Sequence, residues 1–256
     1  MNDPFDLTGQ VAFVTGASAG LGRRMAVLLA ERGAAVAVAA RGADRLTTLV
    51  EKITAAGGKA FAVRLDMSEV AGFGRAVDAA EAVLGPISIL INNAGVAHYQ
   101  QVAKATADTI DQYDETLNIN LRGPYFLTAE VGRRMIDRGQ GGRILNISSS
   151  SGIKPTVGMS AYCASKAALD QLTRTLALEW ATHKINVNAI CPGHILSDMT
   201  REFAASNRGR KYLESRPRKR IGVPEDLDCM VLALVSPKNR FTTGAVVPVD
   251  DGFVVS

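Results

Sequence analysis

One tyrosine of the five in this 256-residue sequence is followed by a lysine four residues later. Tyr162 and Lys166 lie in a stretch of helical periodicity, so a helix would present both side chains on one face. An ammonium group near a phenol favours the phenolate and lowers the phenol pKa from its usual value of about 10. The pair is therefore predicted to exchange a proton with a carbonyl or alcohol group. By itself, the same spacing also fits an exposed lysine beside a half-buried tyrosine.

Glycines form a second candidate site near the start of the chain. Residues 15–22 read T-G-A-S-A-G-L-G, directly after a short apolar run and directly before an amphipathic helical segment. Glycines let the main chain approach a pyrophosphate closely, and a helix N-terminus adds N–H donors and a positive dipole end. A simple turn is the alternative, but the strand before and the helix after favour a dinucleotide site. The predicted contacts are Gly16, Ser18, Gly20, Leu21 and Gly22.

The end of the second apolar run, residues 35–40, indicates which dinucleotide is bound. A carboxylate at this point suits the free ribose 2′-hydroxyl of NAD, whereas a guanidinium suits the 2′-phosphate of NADP. Ala40 ends the run without an acid, and Arg41 follows. The sequence therefore predicts NADP, with a further hydrogen bond from Ser18. NAD is the alternative, in which case Arg41 is a solvated charge at a strand end.

Short apolar runs alternate with longer helical segments along the whole chain. The runs, rich in Val, Ile and Ala, are residues 11–15, 35–40, 60–64, 87–92, 143–147, 185–191 and 246–249. Helices are predicted near residues 21–32, 43–56, 68–84, 106–117, 121–138, 159–182 and 224–235. Strands that are apolar on both faces and joined by helical crossovers belong to a parallel sheet with helices on both sides. Right-handed crossovers then predict an α/β, Rossmann-type doubly wound sheet of about seven strands in a single domain, residues 1–256.

The composition is typical of a folded globular chain, with 47% hydrophobic and 21% charged residues. The net charge of +4 suggests a polyanionic partner such as nucleic acid. However, residues 201–220 hold eight Arg or Lys against two Glu, so the rest of the chain is slightly acidic. That segment has two aromatic residues, Phe203 and Tyr212, which make a poor stacking surface for bases. The sequence predicts no nucleic-acid partner, and salt-dependent DNA binding would contradict this prediction.

Cysteine and histidine spacing gives no sign of a metal site or of a disulfide framework. The three cysteines include no C-x-x-C pair, and the three histidines are scattered along the chain. The first ten residues lack the basic and apolar regions of a secretion signal. The longest apolar run, residues 34–40, is far shorter than the roughly 18 residues of a membrane span. We expect a cytoplasmic protein with no metal and no membrane partner.

Several motifs at fixed distances resemble those of one family. They are T-G-x-x-x-G-x-G at residues 15–22, N-N-A-G at 92–95, the serine run at 148–151, Y-x-x-x-K at 162–166 and P-G at 192–193. From about Leu7 to Phe253, the chain resembles the short-chain dehydrogenase/reductases. The match is to the short single-domain branch that includes 3-oxoacyl-acyl-carrier-protein reductases and many ketone reductases. The resemblance implies an NADP(H)-dependent oxidoreductase that moves a hydride between nicotinamide and a carbonyl or secondary alcohol, in a homotetramer or homodimer.

The resemblance also implies a role for each residue of the predicted active site. Tyr162 is the general acid in reduction and the general base in oxidation. Lys166 holds the nicotinamide ribose and lowers the pKa of Tyr162. Ser149, thirteen positions before the tyrosine, polarises the carbonyl, but it stands in a run of four serines that leaves the register open. Asn120 supports a water-linked proton relay to Lys166.

The remaining cofactor contacts implied by the resemblance follow the ends of the third, fourth and sixth strands. They are Asp66 and Met67 at the adenine, Asn93, Ala94 and Gly95 at the adenosine ribose, and Pro192, Gly193, Ile195 and Ser197 at the nicotinamide carboxamide. The chain departs from the family pattern at two places. Ser197 stands where threonine is usual, which keeps the hydroxyl. Asp251 adds a second acid where a small residue is usual, near a surface that often packs against another subunit in relatives.

Residues 196–222 correspond to the mobile substrate lid of the family and contain most of the basic cluster. Three substrate classes stay open: a ketone, a sugar, or a 3-oxoacyl thioester whose phosphates the basic lid would attract. The residues predicted to line the substrate pocket are His98, Tyr99, Ile153, Met159, His194 and Met199. The alternative to an enzyme is a catalytically silent NADP-binding regulatory protein. The intact set of Ser149, Tyr162 and Lys166 argues against this alternative.

Overall fold

Each apolar run predicted from the sequence contributes a strand to one parallel sheet. The strands are β1 (Val11–Thr15), β2 (Ala35–Ala40), β3 (Lys59–Arg64), β4 (Ile89–Asn92), β5 (Gly142–Ile147), β6 (Ile185–Pro192) and β7 (Val246–Val249). Their order across the sheet is β3-β2-β1-β4-β5-β6-β7, and every neighbouring pair is parallel. The structure is a computed structural model that describes residues 3–197, 200–214 and 216–256, with the main chain alone for Asp108, Glu202, Phe203 and Arg208.

Helices cover both faces of this sheet. In the described chain they are α1 (Gly20–Glu31), α2 (Ala43–Ala55), α3 (Phe73–Leu84), α4 (Ile110–Leu117), α5 (Gly123–Arg138), α6 (Ser160–Glu179), α7 (Arg201–Ala205), α8 (Asn207–Glu214) and α9 (Asp228–Val235). Buried residues of α1, α2 and α9 form one hydrophobic cluster, and those of α3, α5 and α6 form another. The predicted α/β, doubly wound, Rossmann-type fold is therefore confirmed.

Alternate residues of β1 face opposite helical layers. Ala12 and Val14 pack in the cluster that contains α1 and α2, whereas Val11 and Phe13 pack in the cluster that contains α3 and α5. All four side chains are buried. A strand covered on both faces must be apolar at every position, which explains the continuous apolar runs in the sequence.

The strand order reverses between β1 and β4. β1 pairs with β2 on one side and with β4 on the other, so the connections that follow β1 and β4 diverge. In an open α/β sheet, this reversal leaves a crevice at the carboxyl ends of the strands. Residues 16–20, after β1, and residues 93–95, after β4, therefore meet at the same edge of the sheet.

The fourth strand begins at Ile89, later than its apolar run suggests. The main-chain N–H of Ile87 donates to Glu81 Oε1 at 2.9 Å. The carbonyl of Ile87 accepts a hydrogen bond from Arg138. Because side chains satisfy both main-chain groups of Ile87, the regular strand starts after this residue.

A π-helical turn, Asn118–Arg122, joins α4 to α5 without a break. The sequence pattern predicts two separate helices here, near residues 106–117 and 121–138. The wider turn is compatible with a continuous helix and moves the side chains out of the usual helical register, a feature common at functional sites. Asn120, in the middle of the turn, is completely buried.

None of the helices in the described residues is both long and apolar enough to cross a membrane. The His, Cys, Asp and Glu side chains of those residues include no group of three placed to hold a metal ion. Cys163, Cys191 and Cys229 are free thiols.

Candidate active site

A cleft of about 690 Å³ opens at the carboxyl ends of the strands. Its lining includes most of the predicted contacts: Gly16, Ser18, Gly20, Leu21, Arg41, Asp66, Met67, Asn93, Ala94, Gly95, Ser149, Tyr162, Lys166, Pro192, Gly193, Ile195 and Ser197. Gly22 and Asn120 lie behind the described lining. The cleft also contains residues that the sequence analysis missed, among them Arg45, Ser148 and Thr200. Its volume is within the range of about 300–1,000 Å³ usual for small-molecule sites.

The glycine loop is held closely against the end of β4. Gly16 has a φ of +65°, and a Cβ there would lie 2.8 Å from Asn93 Nδ2 and 2.9 Å from Ala94 Cα. The Asn93 side chain donates to the carbonyl of Thr15 at 2.9 Å, which ties the two loops together. A Cβ on Gly22 would lie 2.3 Å from the carbonyl oxygen of Gly16. Gly22 thus lets α1 approach the loop from behind and does not itself face the cleft.

Gly20 is the first residue of α1 and faces the cleft. It has a φ of +51°, and a Cβ there would project to within 3.5 Å of Ser197 Cβ on the loop after β6. The loop thus places a helix N-terminus at the cleft without side chains in the way. This cradle fits the pyrophosphate of a dinucleotide, whose negative charge a helix N-terminus favours.

Two arginines line the end of the cleft that follows β2. Arg41 comes directly after the strand, and Arg45 lies in the first turns of α2. Ser18 of the glycine loop lines the same cleft. The guanidinium groups of Arg41 and Arg45 fit a 2′-phosphate better than a free ribose hydroxyl. Arg45 could have been found from its position four residues after Arg41, next to the predicted start of α2.

Asp66 and Met67 form the cleft wall beyond β3. Asp66 Oδ1 accepts hydrogen bonds from the N–H of Ser68 at 2.9 Å and from its hydroxyl at 2.7 Å. Burial opposes ionisation of Asp66, but these bonds and the positive charges of Arg41 and Arg64 together lower its pKa. The carboxylate is therefore ionised at neutral pH and keeps an acceptor oxygen at the cleft.

Tyr162 and Lys166 lie on one face of α6 and both line the cleft. The Nζ atom of Lys166 donates to the main-chain oxygen of Ile147, at the end of β5, at 2.8 Å. Lys166 is 4% exposed, and burial lowers its pKa to about 8, while the negative charge of Asp170 acts in the opposite direction. The lysine is thus a buried ammonium whose pKa lies close to neutrality.

The pKa of Tyr162 moves in the direction opposite to the one predicted from the sequence. Burial raises it, and hydrogen bonding with Ser149 only partly offsets this effect. Burial disfavours the charged phenolate, and here it outweighs the attraction expected from Lys166. Tyr162 is therefore a neutral phenol at neutral pH, which is the form that donates a proton.

Two members of the serine run, Ser148 and Ser149, line the cleft and make different contacts. Ser149 lines the cleft and interacts with the phenol of Tyr162. Its Oγ atom also accepts from the N–H of Ser151 at 3.1 Å, which fixes the side-chain rotamer. The hydroxyl of Ser148 donates to the main-chain oxygen of Lys166 at 3.2 Å. Among these serines, Ser149 has the position that the resemblance implies for the carbonyl-polarising residue.

Asn120 supports the site from behind. Its Oδ1 accepts from the N–H of Val96 at 2.9 Å, and its Nδ2 donates to the carbonyl of Val96 at 2.9 Å. A Cβ on Gly95 would lie 3.3 Å from Asn120 Oδ1 and 3.6 Å from Lys166 Nζ. The π-helical turn therefore brings Asn120, the loop after β4 and the lysine together around Gly95.

The loop after β6 presents two neighbouring hydroxyl groups. Ser197 and Thr200 both line the cleft, with their Oγ atoms 3.2 Å apart. The hydroxyl of Thr200 donates to the carbonyl of Ile195 and accepts from the N–H of Ser197, at 2.6 and 2.9 Å. Thr200, which the sequence analysis missed, thus shapes the turn that carries Ser197. Its spacing three residues after Ser197 is the only sequence signal for this contact.

Acids from elsewhere in the chain pair with part of the positive charge of residues 201–220. Arg220 Nε lies 2.6 Å from Asp251 Oδ2, and Arg220 Nη1 lies 2.7 Å from Asp226 Oδ2. Arg218 Nη1 lies 3.8 Å from Asp251 Oδ1. Asp251, where the chain departs from the family pattern, therefore binds two arginines of the predicted lid.

A smaller cavity of about 110 Å³ adjoins the cleft, and Gly193 and Ile195 line both. The guanidinium of Arg216 lies between the rings of Tyr212 and Phe253 there, 3.9 and 4.1 Å from their centroids. His194 lines the same cavity, and burial together with Arg216 lowers its pKa. His194 is therefore neutral at neutral pH.

Other residues predicted for the substrate pocket lie beside the cleft. Outside its described lining are His98, Tyr99, Ile153 and Met159. His98 Nε2 is 2.8 Å from Glu115 Oε2, so this side chain is held by α4. Met199 lies outside the described residues, as do two other positions of the predicted lid, Asp198 and Ser215.

The sheet topology, the glycine cradle and the Tyr162–Lys166 pair in the cleft are together typical of a dinucleotide-binding oxidoreductase. Comparison with known proteins gives the family. The family model described as "short chain dehydrogenase" matches residues 10–208. The chain therefore belongs to the short-chain dehydrogenase/reductase family, whose members act on CH–OH and C=O groups.

Curated relatives cover nearly the whole chain. A 2-dehydro-3-deoxy-D-gluconate 5-dehydrogenase from Dickeya dadantii is 36% identical over 251 residues, which is 98% of this chain and 97% of the relative. An L-xylulose reductase from Caenorhabditis elegans is 36% identical over 257 residues, which is 97% of each chain. Both relatives act on sugars or sugar acids by their names.

A solved structure is also similar. It is described as a putative NAD(P) dependent gluconate 5-dehydrogenase from Beutenbergia cavernae with bound NADP at low occupancy. The TM-score is 0.92 at 32% identity, over 99% of this chain and all of the other. This similarity agrees with the single-domain, Rossmann-like fold of a seven-stranded parallel sheet.

Proposed function

We propose that this protein is an NADP(H)-dependent oxidoreductase that interconverts a ketone and a secondary alcohol of a sugar or sugar acid. The observation that carries the proposal is the convergence of Ser149, Tyr162 and Lys166 in one cleft that also contains the glycine cradle. Residues 1–256 of the protein act as a single domain in this proposal, with residues 196–222 as the substrate lid. We further propose a cytoplasmic homotetramer or homodimer, as is common in the family.

The residues that hold NADP are those of the cleft lining. The glycine loop holds the pyrophosphate, Arg41 and Arg45 hold the 2′-phosphate, and Lys166 holds the nicotinamide ribose. When bound, the nicotinamide supplies or accepts the hydride. Arg41 and Arg45 favour NADP, and the absence of an acid at the end of β2 removes the usual partner of an NAD ribose.

Proton transfer is the task of Tyr162. In reduction the neutral phenol donates its proton to the carbonyl oxygen and becomes a phenolate, and in oxidation the phenolate accepts the proton of the alcohol. Ser149 hydrogen-bonds to the same oxygen and holds it beside the phenol. Lys166 places a positive charge near the developing phenolate, and Asn120 fixes the loop around the lysine through its paired hydrogen bonds to Val96.

The sugar class is supported by the names of the relatives and by the cleft's polar groups. Hydroxyls of Ser149, Ser197 and Thr200 line it, and a polyhydroxylated substrate can pair with such groups. A 3-oxoacyl thioester and a simple ketone are the other substrates to test.

The experiment is a spectrophotometric screen of NADPH oxidation with keto-sugars, keto-sugar acids, acetoacetyl-CoA and aryl ketones. The same screen is repeated with NADH, and NADP⁺ reduction is measured with sugar alcohols and sugar acids. We expect turnover with keto-sugars or keto-acids and a preference for NADPH. Faster turnover of acetoacetyl-CoA would overturn the sugar assignment, and a preference for NADH would overturn the NADP assignment. Absence of turnover with cofactor binding intact would favour a silent regulatory protein.

A further inference from the structure

A buried carboxylate lies one helical turn beyond the active-site lysine. Tyr162, Lys166 and Asp170 are spaced four residues apart on α6, so they follow one face of the helix. Asp170 is 3% exposed. Burying a carboxylate is costly unless a cation or several hydrogen bonds compensate for the lost water. The proposed mechanism gives this group no role.

Side chains from the ends of two strands enclose Asp170. Cys191 Sγ, on β6, lies 3.7 and 3.9 Å from the two carboxylate oxygens and donates to them. Ser148, after β5, has a single hydroxyl proton that is shared between the main-chain oxygen of Lys166, at 3.2 Å, and the carboxylate of Asp170. Asp170, Ser148 and the main chain of Lys166 thus form one connected group.

Gly152 also packs closely against Asp170. A Cβ at Gly152 would lie 2.9 Å from Asp170 Oδ2 and 3.0 Å from the main-chain carbon of Lys166. The carboxylate is therefore packed against the same turn of α6 that carries the lysine.

The titratable groups around Lys166 and Asp170 affect the charge of both side chains. Burial raises the pKa of Asp170, and its hydrogen bonds and the positive charges of Arg174 and Lys166 offset only part of this effect. Asp170 in turn favours the ammonium form of Lys166. Burial raises the pKa of Cys191 to about 12 and raises the pKa of Tyr162, so both are neutral at neutral pH. Among the described groups facing Lys166, Asp170 is the one that supplies negative charge.

We propose that Asp170 is a positioning residue for Lys166. Its carboxylate stabilises the ammonium group in the buried site and, through Ser148, holds the turn of α6 that directs the lysine into the cleft. This inference rests on the proposed function only in assigning Lys166 to the active site. The expected consequence is that Lys166 stays charged at neutral pH because of Asp170.

The test compares the titration of Lys166 in the cofactor-free protein with that in Asp170→Asn. Asparagine keeps the shape of the side chain and removes its charge. The pKa of Lys166 is read by NMR from ¹³C-labelled lysine, with the signal assigned by its loss in Lys166→Arg. Loss of the carboxylate favours the uncharged amine, so we expect the pKa of Lys166 to fall by about one unit or more. The alkaline limit of kcat/KM should move to lower pH by the same amount.

Thr173→Val is the matched control. Thr173 is also completely buried on α6, and its hydroxyl donates to the main-chain oxygen of Leu169 and accepts from Asn146 Nδ2, both at 2.8 Å. It carries no charge and makes no described hydrogen bond with Lys166 or Asp170. The control should leave the titration of Lys166 unchanged. An unchanged titration in Asp170→Asn, or an equal shift in Thr173→Val, would overturn the proposal.

A reciprocal measurement covers the case in which Asp170→Asn does not fold. In Lys166→Met the carboxylate remains and loses its cation, so the pKa of Asp170 should rise relative to the wild type, as read by ¹³C NMR of labelled aspartate. No rise would overturn the proposal. Both titrations need no substrate and no cofactor. If the protein shows both pKa shifts but turns over no substrate, the proposed function is contradicted and the role of Asp170 is retained.

Discussion

The ammonium group of Lys166 lies 5.8 Å from the centre of the Tyr162 ring. Burial acts on both groups, raising the pKa of the tyrosine and lowering that of the lysine to about 8. Each shift favours the neutral form, because a buried charge loses its hydration. The phenol therefore keeps its proton at neutral pH, while the lysine loses its charge in mildly alkaline solution.

Tyr162→Phe removes the proton donor and retains the ring. We expect kcat for carbonyl reduction to fall by about 10²- to 10⁴-fold, with the dissociation constant for NADPH close to that of the wild type. Steady-state kinetics and fluorescence titration measure the two quantities. Tyr125→Phe is the control, because Tyr125 is half exposed on α5. Undiminished turnover in Tyr162→Phe would contradict the assignment of Tyr162 as the acid.

The pH dependence of the wild type should reflect the buried lysine. Lys166 is charged below its pKa of about 8 and neutral above it, so kcat/KM for NADPH should decline as the pH rises through that value. The raised pKa of Tyr162 means that loss of the phenol proton comes only at higher pH. In Lys166→Arg the charge persists, so its remaining activity should decline at higher pH than in the wild type. A decline at the same pH in both proteins would rule out Lys166 as its cause.

Arg41 and Arg45 should decide between the two nicotinamide cofactors. Replacing either by Ala should raise KM for NADPH by roughly 10- to 150-fold, since a charged hydrogen bond contributes about 1.5–3 kcal/mol. KM for NADH should change little, because NADH carries no 2′-phosphate. Lys59→Ala, an exposed cation at the other end of β3, is the control. Equal losses with both cofactors would show that these arginines do not read the 2′-phosphate.

Gly16→Ala should damage the cradle. The added methyl group would lie under 3 Å from both Asn93 and Ala94, at a main-chain φ of +65° that side chains rarely adopt. We expect a loss of about 1–3 kcal/mol in the free energy of unfolding and a weaker affinity for NADPH. Gly72→Ala is the control, since a Cβ there meets nothing within 4 Å. Thermal denaturation and cofactor titration make the comparison, and wild-type values for Gly16→Ala would refute the close contact.

Asp251→Asn should loosen the predicted lid. Asp251 forms ion pairs with Arg218 and Arg220 at the surface of the predicted lid. Exposed ion pairs contribute about 0.2–1 kcal/mol each to stability. We expect KM for the substrate to rise severalfold and the dissociation constant for NADPH to stay the same. Asp137→Asn, an exposed carboxylate on α5, is the control. A rise confined to anionic substrates would instead indicate that the arginines bind the substrate directly.

Much of the architecture can be predicted from local patterns. Strands buried on both faces must be apolar at every position, as in β1 and β2, so they stand out as runs of Val, Ile and Ala. Tyr162 and Lys166 could be paired from their helical spacing alone. The nucleotide-binding role of the glycine loop could be predicted because the loop lies between a strand and a helix.

Other features depend on contacts between distant parts of the chain. Four consecutive serines are equivalent in sequence, and only the packing of α6 against the end of β5 brings Ser149 to the phenol of Tyr162. Asp251 pairs with Arg220, which is 31 residues away in the sequence. The sequence alone therefore could not show whether the arginines of residues 201–220 bind an anionic substrate or pair with acids of the same chain.

The sequence by itself determined the parallel sheet, the nucleotide loop and the identity of the tyrosine and lysine, because each is encoded in residue type and short-range spacing. The tertiary structure alone decided how these groups ionise and which distant groups reach them. Burial raises the pKa of Tyr162 against the expectation from its neighbouring lysine. Packing of α6 also buries the carboxyl group of Asp170, one helical turn after Lys166. Desolvation depends on everything packed around a group, and that surrounding is assembled from the whole chain.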